Sequence, residues 1–158
     1  MAKFGGTSEL VAYDEDFHRW GLEQIELLEA RRLRDLDVVN LIEELKALVG
    51  STEREIESRM MVLLLHLLKW QYQPSHRSNS WRGTIAEQRY RIARELAKSP
   101  SLRRYPAEVL AEEYQLARLK ASGETGSPIE TFPDVSPYSA AQALDADFWP
   151  GSPDHKGK

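Results

Sequence analysis

The sequence predicts an all-α fold: a helical bundle of about five main helices with a Pro-rich C-terminal extension that carries short helices. All eight prolines lie at or after Pro74, so the first half of the chain lacks the strongest helix breaker. Leu, Ala and Glu, which are strong helix formers, dominate that half. It also contains no sustained apolar–polar alternation of the kind that a half-buried strand shows.

The first two predicted helices are amphipathic. The first begins near Asp14 and ends near Leu33, and the second begins after Asp37. At 100° per residue each helix gathers its apolar residues on one face, which we expect to lie in the core. In the first helix these are Phe17, Trp20, Gly21, Ile25 and Leu28, and in the second Val38, Leu41, Ile42, Leu45, Leu48 and Val49.

A helix boundary is predicted around Gly50. Glycine suits a helix terminus, and Thr52 followed by Glu55 has the spacing of a capping box. An unbroken helix over residues 38–71 would be about 50 Å long, which exceeds the width of a compact chain of this size. We therefore expect a break or kink here; the alternative is a helix that protrudes and invites a partner.

The third predicted helix covers about residues 53–72 and ends before Pro74. Eight of the nine residues in its segment Met60–Leu68 are apolar, and they surround the helix axis. A helix that is apolar all round is buried in the middle of a bundle.

Two more helices and a punctuated extension follow. The fourth helix covers Trp81–Lys98, with a core stripe of Trp81, Ile85, Ile92 and Leu96. The fifth covers Pro106–Ala121, with Leu110, Tyr114, Ala117 and Ala121 on one face and Gly123 at its end. Helix signals then recur at Ser127-Pro128 and at Ser139 with Gln142, and Phe148 and Trp149 are expected to lie back on the core.

These elements predict one all-α domain over residues 13–149, between a flexible N-terminus of residues 1–12 and a disordered tail of residues 150–158. Cysteine is absent, which excludes a disulfide scaffold, a thiolate zinc site and a cysteine nucleophile. No apolar run approaches the roughly 18 residues of a membrane span, and the first residues show no apolar signal-peptide region. A cytoplasmic protein without membrane attachment is the expectation.

Charge divides the chain into three blocks. The net charge of −4 combines −6 over residues 1–68, +7 over residues 69–104 and −5 over residues 105–158. The basic block interleaves aromatic with cationic residues, and we call this set the aromatic-basic cluster. Its members are Lys69, Trp70, Tyr72, His76, Arg77, Trp81, Arg82, Arg89 and Arg91.

The aromatic-basic cluster has two interpretations. Trp, Tyr and Arg are favoured both in protein hot spots and in stacking on nucleic-acid bases, so the cluster predicts a surface that binds an unidentified protein or nucleic acid. Alternatively, the cations are neutralised by carboxylates of the same chain and by cation–π contacts that fix the loop 73–80. The interpretation we adopt is a non-catalytic binding or interaction module.

Two alternative functions stay open. A small helical hydrolase or nuclease would use His66 with Glu43, Glu44 or Glu87. A structural role would pair the first two helices with a second copy, giving a homodimer. No cofactor and no metal site is predicted, because the sequence contains no His-Glu-x-x-His motif, no Walker A motif and no dinucleotide-binding fingerprint. A metal site, if the fold brought its ligands together, would draw on His18, Glu43, Glu44 and His66.

One string in the middle of the chain is distinctive. It combines Leu64–Trp70 with Gln73-Pro74 and Ser80-Trp81, and it accompanies Tyr13–Phe17 near the start and Glu124–Pro133 later on. With these residues the chain resembles, over about residues 12–149, a bacterial family of domains of unknown function numbered twenty-nine, which is abundant in cyanobacteria. The resemblance implies a small, helical, intracellular protein. Since that family carries no agreed activity, it implies no catalytic residues.

Overall fold

The structure, a computed structural model, describes residues 10–151 and confirms the all-α prediction. Within this part of the chain there are five α-helices and no strand. The helices are α1 (Phe17–Glu29), α2 (Val38–Tyr72), α3 (Asn79–Lys98), α4 (Tyr105–Thr125) and α5 (Ala140–Leu144). Single 3₁₀ turns occupy Leu33–Asp35, Pro74–His76, Pro100–Leu102 and Ile129–Thr131.

The chain forms two compact units that divide between Val49 and Gly50. We call residues 10–49 the N-terminal hairpin and residues 50–151 the C-terminal bundle. Residues 1–9 and 152–158, which make up most of the predicted flexible ends, lie outside the described residues. The prediction of one domain over residues 13–149 stays a prediction.

The N-terminal hairpin is closed by hydrogen bonds around its turn. Asp16 caps α1 by accepting a hydrogen bond from the Arg19 amide at 3.0 Å. The Asp37 carboxylate accepts from the Trp20 indole at 3.0 Å and from the Asn40 side chain at 2.7 Å. The Asn40 side-chain amide contributes most to holding the pKa of Asp37 below its usual range. The start of α2 is thereby attached to the middle of α1.

The predicted core faces of the first two helices are wrong in part. Trp20 is buried, but Phe17, Ile25 and Leu28 are about half exposed. The buried side of α1 consists instead of Trp20, Gln24 and Leu27. The apolar arc of α1 is wider than the arc that α2 covers, so one edge of it stays in solvent. The predicted stripe of the second helix is likewise partly or fully exposed.

Of the break or kink predicted at Gly50, the break is wrong, because α2 continues without interruption from Val38 to Tyr72; the kink stays a prediction. Thr52 and Glu55 therefore lie inside the helix and form no capping box. A glycine in a helix interior costs only about 1 kcal/mol relative to alanine. That cost is small beside the burial of the apolar segment that follows, so tertiary packing overrides the local signal.

The core of the C-terminal bundle confirms the prediction for the apolar segment of α2. Leu63, Leu64, Leu67 and Leu68 are fully buried. They pack against Ile85 and Ile92 of α3 and against Tyr114, Ala117 and Ala121 of α4. Phe132, Tyr138 and Phe148 complete this core; they belong to residues 126–151, which we call the C-terminal segment. Phe148 and Trp149 lie back on the core as predicted.

The C-terminal segment starts later than expected. Gly123 does not end α4; the helix runs to Thr125 and stops at Gly126, which has a φ of 70°. Glycine is favoured there because this left-handed conformation brings a Cβ too close to the backbone. The predicted capping box of Ser139 and Gln142 is confirmed at the start of α5.

The end of α1 gives a first testable prediction. Arg31 has a φ of 56°, and its amide bonds to the Leu28 carbonyl while the Arg32 amide bonds to that of Leu27. We expect Arg31→Gly to raise the free energy of unfolding by about 0.5–1 kcal/mol, since the relieved strain exceeds the entropy that glycine adds to the unfolded chain. Urea denaturation measures this.

The matched control is Arg32→Gly. Arg32 has a φ of −84°, so glycine relieves no strain there and is expected to lower stability. Equal effects of the two substitutions would contradict the explanation.

Candidate functional site

The members of the aromatic-basic cluster lie in one region of the chain, at the end of α2, in the turn after it and along α3. They do not act as one surface. The structure divides them into side chains used inside the C-terminal bundle, side chains paired with carboxylates of the same chain, and a remaining pair of arginines that lines a pocket.

Arg89 is an internal clamp. It is only 6% exposed. Its guanidinium donates to the carbonyls of Ala143 at 2.8 Å, Phe148 at 2.7 Å and Ala146 at 3.3 Å. Burial lowers the pKa of Arg89, while Asp145 and Asp147 oppose that shift. The side chain fastens the C-terminal segment to α3, and its donors are used there.

Three further members have partners in the same chain. The Lys69 ammonium lies 2.8 Å from Glu124 and 4.7 Å from the centre of the Trp81 ring. Arg91 forms an exposed ion pair with Glu87 at 2.8 Å. Tyr72 packs edge to face on a core phenylalanine, with ring centres 5.4 Å apart. These contacts match the interpretation in which the chain neutralises its own cations.

Arg77 and Arg82 differ from these members. Both line an open pocket of about 490 Å³, together with Trp70, Ser78 and Asn79. Among residues 10–151, no carboxylate lies within ion-pair distance of either guanidinium. This is the part of the aromatic-basic cluster whose positive charge is not compensated by the described chain.

Aromatic rings fix the two guanidinium groups. Arg82 lies 5.3 Å from the Trp70 ring and 5.1 Å from the Trp149 ring. Arg77 lies 5.0 Å from the Trp70 ring and donates from Nε to the Trp70 carbonyl at 2.8 Å. These contacts restrict long side chains that would otherwise lose much rotamer entropy on binding. Among residues 10–151, no acceptor takes a hydrogen bond from the remaining N–H donors of Arg77 and Arg82.

The pocket suits an oxyanion. A guanidinium presents planar donors that match the two oxygens of a carboxylate or phosphate. The pocket also lies at the beginning of α3, where Ser78 caps the helix by accepting from the Trp81 amide at 3.2 Å. The positive end of the helix adds to the field of the two arginines.

Sequence reasoning identified Trp70, Arg77 and Arg82 but missed the other parts of this pocket. In the sequence Ser78 and Asn79 belong to an ordinary polar loop, although a serine shortly before a predicted helix, here three residues before Trp81, is an N-cap signal. Trp149 was expected only to lie on the core. No local pattern links it to Arg82, which is 67 positions earlier.

The residues of the enzymatic alternative are engaged in local contacts. His66 Nδ1 lies 2.8 Å from the Val62 carbonyl, and burial lowers the pKa of His66. Glu44 accepts from the Tyr13 hydroxyl, Glu43 pairs with Lys46, and Glu87 pairs with Arg91. Neither the pocket at Arg77 nor a second one of about 520 Å³ beside Pro106 is lined by any of them.

No group of three or more His, Asp or Glu side chains within residues 10–151 could hold a metal ion. The four ligands considered from the sequence therefore do not form such a group. In the same part of the chain, every helix is too short or too polar to span a bilayer.

A family model described as "Domain of unknown function DUF29" matches residues 12–149. No curated protein and no solved structure matches the chain.

The Arg89 clamp gives a second prediction. Arg89→Lys keeps the charge but cannot reach three carbonyls in a fixed fork, so we expect the free energy of unfolding to fall by about 2–3 kcal/mol. Arg91→Lys, at an exposed position on the same helix, is expected to change it by less than about 0.5 kcal/mol. Urea denaturation of both variants tests this, and equal losses would contradict the clamp.

His66 gives a third prediction. Its pKa in the folded protein is below the ordinary value of 6.5, so the unfolded chain takes up the proton first as the pH falls. The contribution of neutral His66 to the free energy of unfolding is complete above pH 6.5, and it is lost as the pH falls through the pKa that His66 has in the folded protein. We expect His66→Gln to flatten the decrease in unfolding free energy between about pH 7.5 and 5.5. The control is His76→Gln, at an exposed position. If His66→Gln left the slope of unfolding free energy against pH unchanged, the explanation would be contradicted.

Proposed function

This chain belongs to the DUF29 family of domains of unknown function, matched over residues 12–149, and we propose that it is a non-catalytic binding module. Its site is the pocket lined by Trp70, Arg77, Ser78, Asn79 and Arg82. The ligand is an oxyanion, a carboxylate or a phosphate group, presented by a partner protein. A cytoplasmic location is part of the proposal.

The single observation that carries the proposal is the pair of guanidinium groups, Arg77 and Arg82, held on tryptophan rings without a carboxylate partner among the described residues. The neighbouring cations Lys69 and Arg91 do have such partners. In a chain whose net charge is −4, two arginines without a carboxylate partner among residues 10–151 maintain a local positive potential in the pocket. An acidic group would find both charge and donors there.

A protein partner fits the pocket better than a nucleic acid. Binding to nucleic acids depends on neutralising several phosphates in a row and on open aromatic faces for stacking. Trp70 is only 7% exposed and lies under Arg77 and Arg82, and the Trp81 ring lies under Lys69. One pocket with two donors therefore favours a single acidic group on a peptide segment.

The alternative of a small hydrolase or nuclease receives no comparable support. It requires a carboxylate beside His66, but Glu43, Glu44 and Glu87 are each engaged with a neighbouring side chain. The residues that it names belong to neither pocket described above.

The fourth prediction concerns the pocket. We expect hexaglutamate, inorganic phosphate and a phosphoserine peptide to shift the NMR signals of the Arg77 and Arg82 side chains and of the Trp70 indole. The double variant Arg77→Glu/Arg82→Glu should weaken binding of the tightest of these probes by at least about tenfold, because both donors are lost and like charge is introduced. Comparing the probes distinguishes a carboxylate from a phosphate source.

Arg91→Glu is the matched control, since it makes the same charge change at an exposed, ion-paired position on α3. It should bind like the unmodified protein, and circular dichroism should show that all variants are folded. Equal weakening in the control, or unchanged binding in the double variant, would overturn the proposal. A twelve-nucleotide thymidine strand that binds through the pocket more tightly than every peptide would overturn the choice of a protein partner.

A further inference from the structure

The N-terminal hairpin carries a second feature that the proposed function does not use. Several large apolar side chains of α1 and α2 are exposed, and seven of them, each between 46% and 66% exposed, form one set by helix register. They are Phe17, Ile25, Leu28, Val38, Ile42, Leu45 and Val49. Scattered apolar residues on a surface need no explanation, but a contiguous set of this size does.

On each helix the members of this set share one side, and the exposed Leu22, Val39 and Leu48 lie outside it. Val38, Ile42, Leu45 and Val49 follow one another at intervals of four, three and four residues, which is the spacing of a single helix face. Phe17, Ile25 and Leu28 likewise lie on one side of α1, beside the buried Trp20, Gln24 and Leu27. The set therefore forms two stripes.

The two stripes lie on the same side of the hairpin. The helices are antiparallel neighbours, since Tyr13 contacts Glu44 and Trp20 contacts Asp37. In each helix the exposed stripe is rotated about the helix axis by roughly 90–120° from the side that faces the other helix. The rotation has the same sense in both helices when each is followed from its N-terminus to its C-terminus. Because antiparallel helices turn in opposite senses when viewed from one end, these equal rotations lead to one common face.

The size of this face matches what a dimer requires. Seven side chains about half exposed amount to about 650 Å², which exceeds the roughly 300–600 Å² of the largest patch on a typical monomer. A standard interface takes about 800 Å² from each partner, and about 65% of a homodimer interface is apolar. The hairpin therefore offers the apolar area that one side of a stable interface needs.

Charge does not oppose self-association through this face. The carboxylates of Asp16 and Glu23 are used within the hairpin, one as the cap of α1 and the other with Arg19 and the Val11 amide. By helix register, the face is bordered by Glu29 on α1 and, on α2, by Lys46, which forms an ion pair with Glu43.

We propose that this face binds the same face of a second copy of the chain, related by a two-fold axis, so that the two hairpins form a four-helix bundle. A two-helix layer with one apolar side is self-complementary, and an isologous pairing closes after two copies. A lone amphipathic helix would fill one groove and leave part of the face exposed. The pairing is independent of the pocket at Arg77 and Arg82.

Sedimentation equilibrium on the full chain tests this fifth prediction. The unmodified protein is expected at twice its monomer mass of 18.1 kDa. The double variant Ile42→Glu/Val49→Glu should weaken dimerisation by at least about a hundredfold, because two carboxylates would be buried without partners. Leu119→Glu, at a 58% exposed position of α4, is the matched control and should stay dimeric.

Two further variants keep the test decisive. Ile42→Leu/Val49→Leu preserves the apolar face and should dimerise, which separates loss of pairing from loss of folding. Arg77→Glu/Arg82→Glu should dimerise normally even where it no longer binds oxyanions. An unmodified protein that is monomeric at about 100 μM, well above the dissociation constant of a stable dimer, would overturn the proposal. A dimer that survives the two glutamates, or a monomer that instead binds a single amphipathic helix, would also overturn it.

Discussion

The C-terminal bundle depends on one constraint, which is that the segment Met60–Leu68, in the second half of α2, carries apolar residues on every side. Such a segment cannot leave any face in water, so it needs cover from all directions at once. α3 and α4 supply part of that cover through Ile92 and Tyr114. The irregular C-terminal segment supplies the rest through Phe132, Tyr138 and Phe148, which is why a stretch with little helix of its own is nevertheless well fixed.

Contacts with the C-terminal segment show that the fold uses its arginines in two ways. Arg89 is buried and donates hydrogen bonds to three backbone carbonyls, so it stabilises the fold. Arg77 and Arg82 lie nearby but keep N–H donors that face a pocket, where tryptophan rings set their orientation. A basic block in a sequence therefore does not by itself predict a binding surface. A binding surface requires guanidinium groups that the fold does not already hydrogen-bond or pair with carboxylates.

The fold class, the buried segment and the packing of α3 and α4 could be predicted, because periodicity and composition agree there. The break at Gly50 could not be excluded from local signals, because the helix is continued by the packing of apolar residues that lie 10 or more positions later in the chain. The buried side of α1 was misplaced because its apolar arc includes an exposed portion around Ile25 and Leu28. Three of the five residues that line the pocket were predictable, while the positions of Trp149 and Arg89 depend on contacts between distant residues.

The contacts of Arg89 span 54 to 59 positions along the chain. A nascent chain therefore cannot close this clamp until about residue 148 has left the ribosome, long after α2 has emerged. During that interval the leucine-rich surface of α2 lacks part of its cover, and the entropy of closing a long loop still opposes the native arrangement. Biosynthesis thus passes through a stage at which the growing polypeptide is vulnerable to aggregation, and the emergence of residues 143–148 ends it.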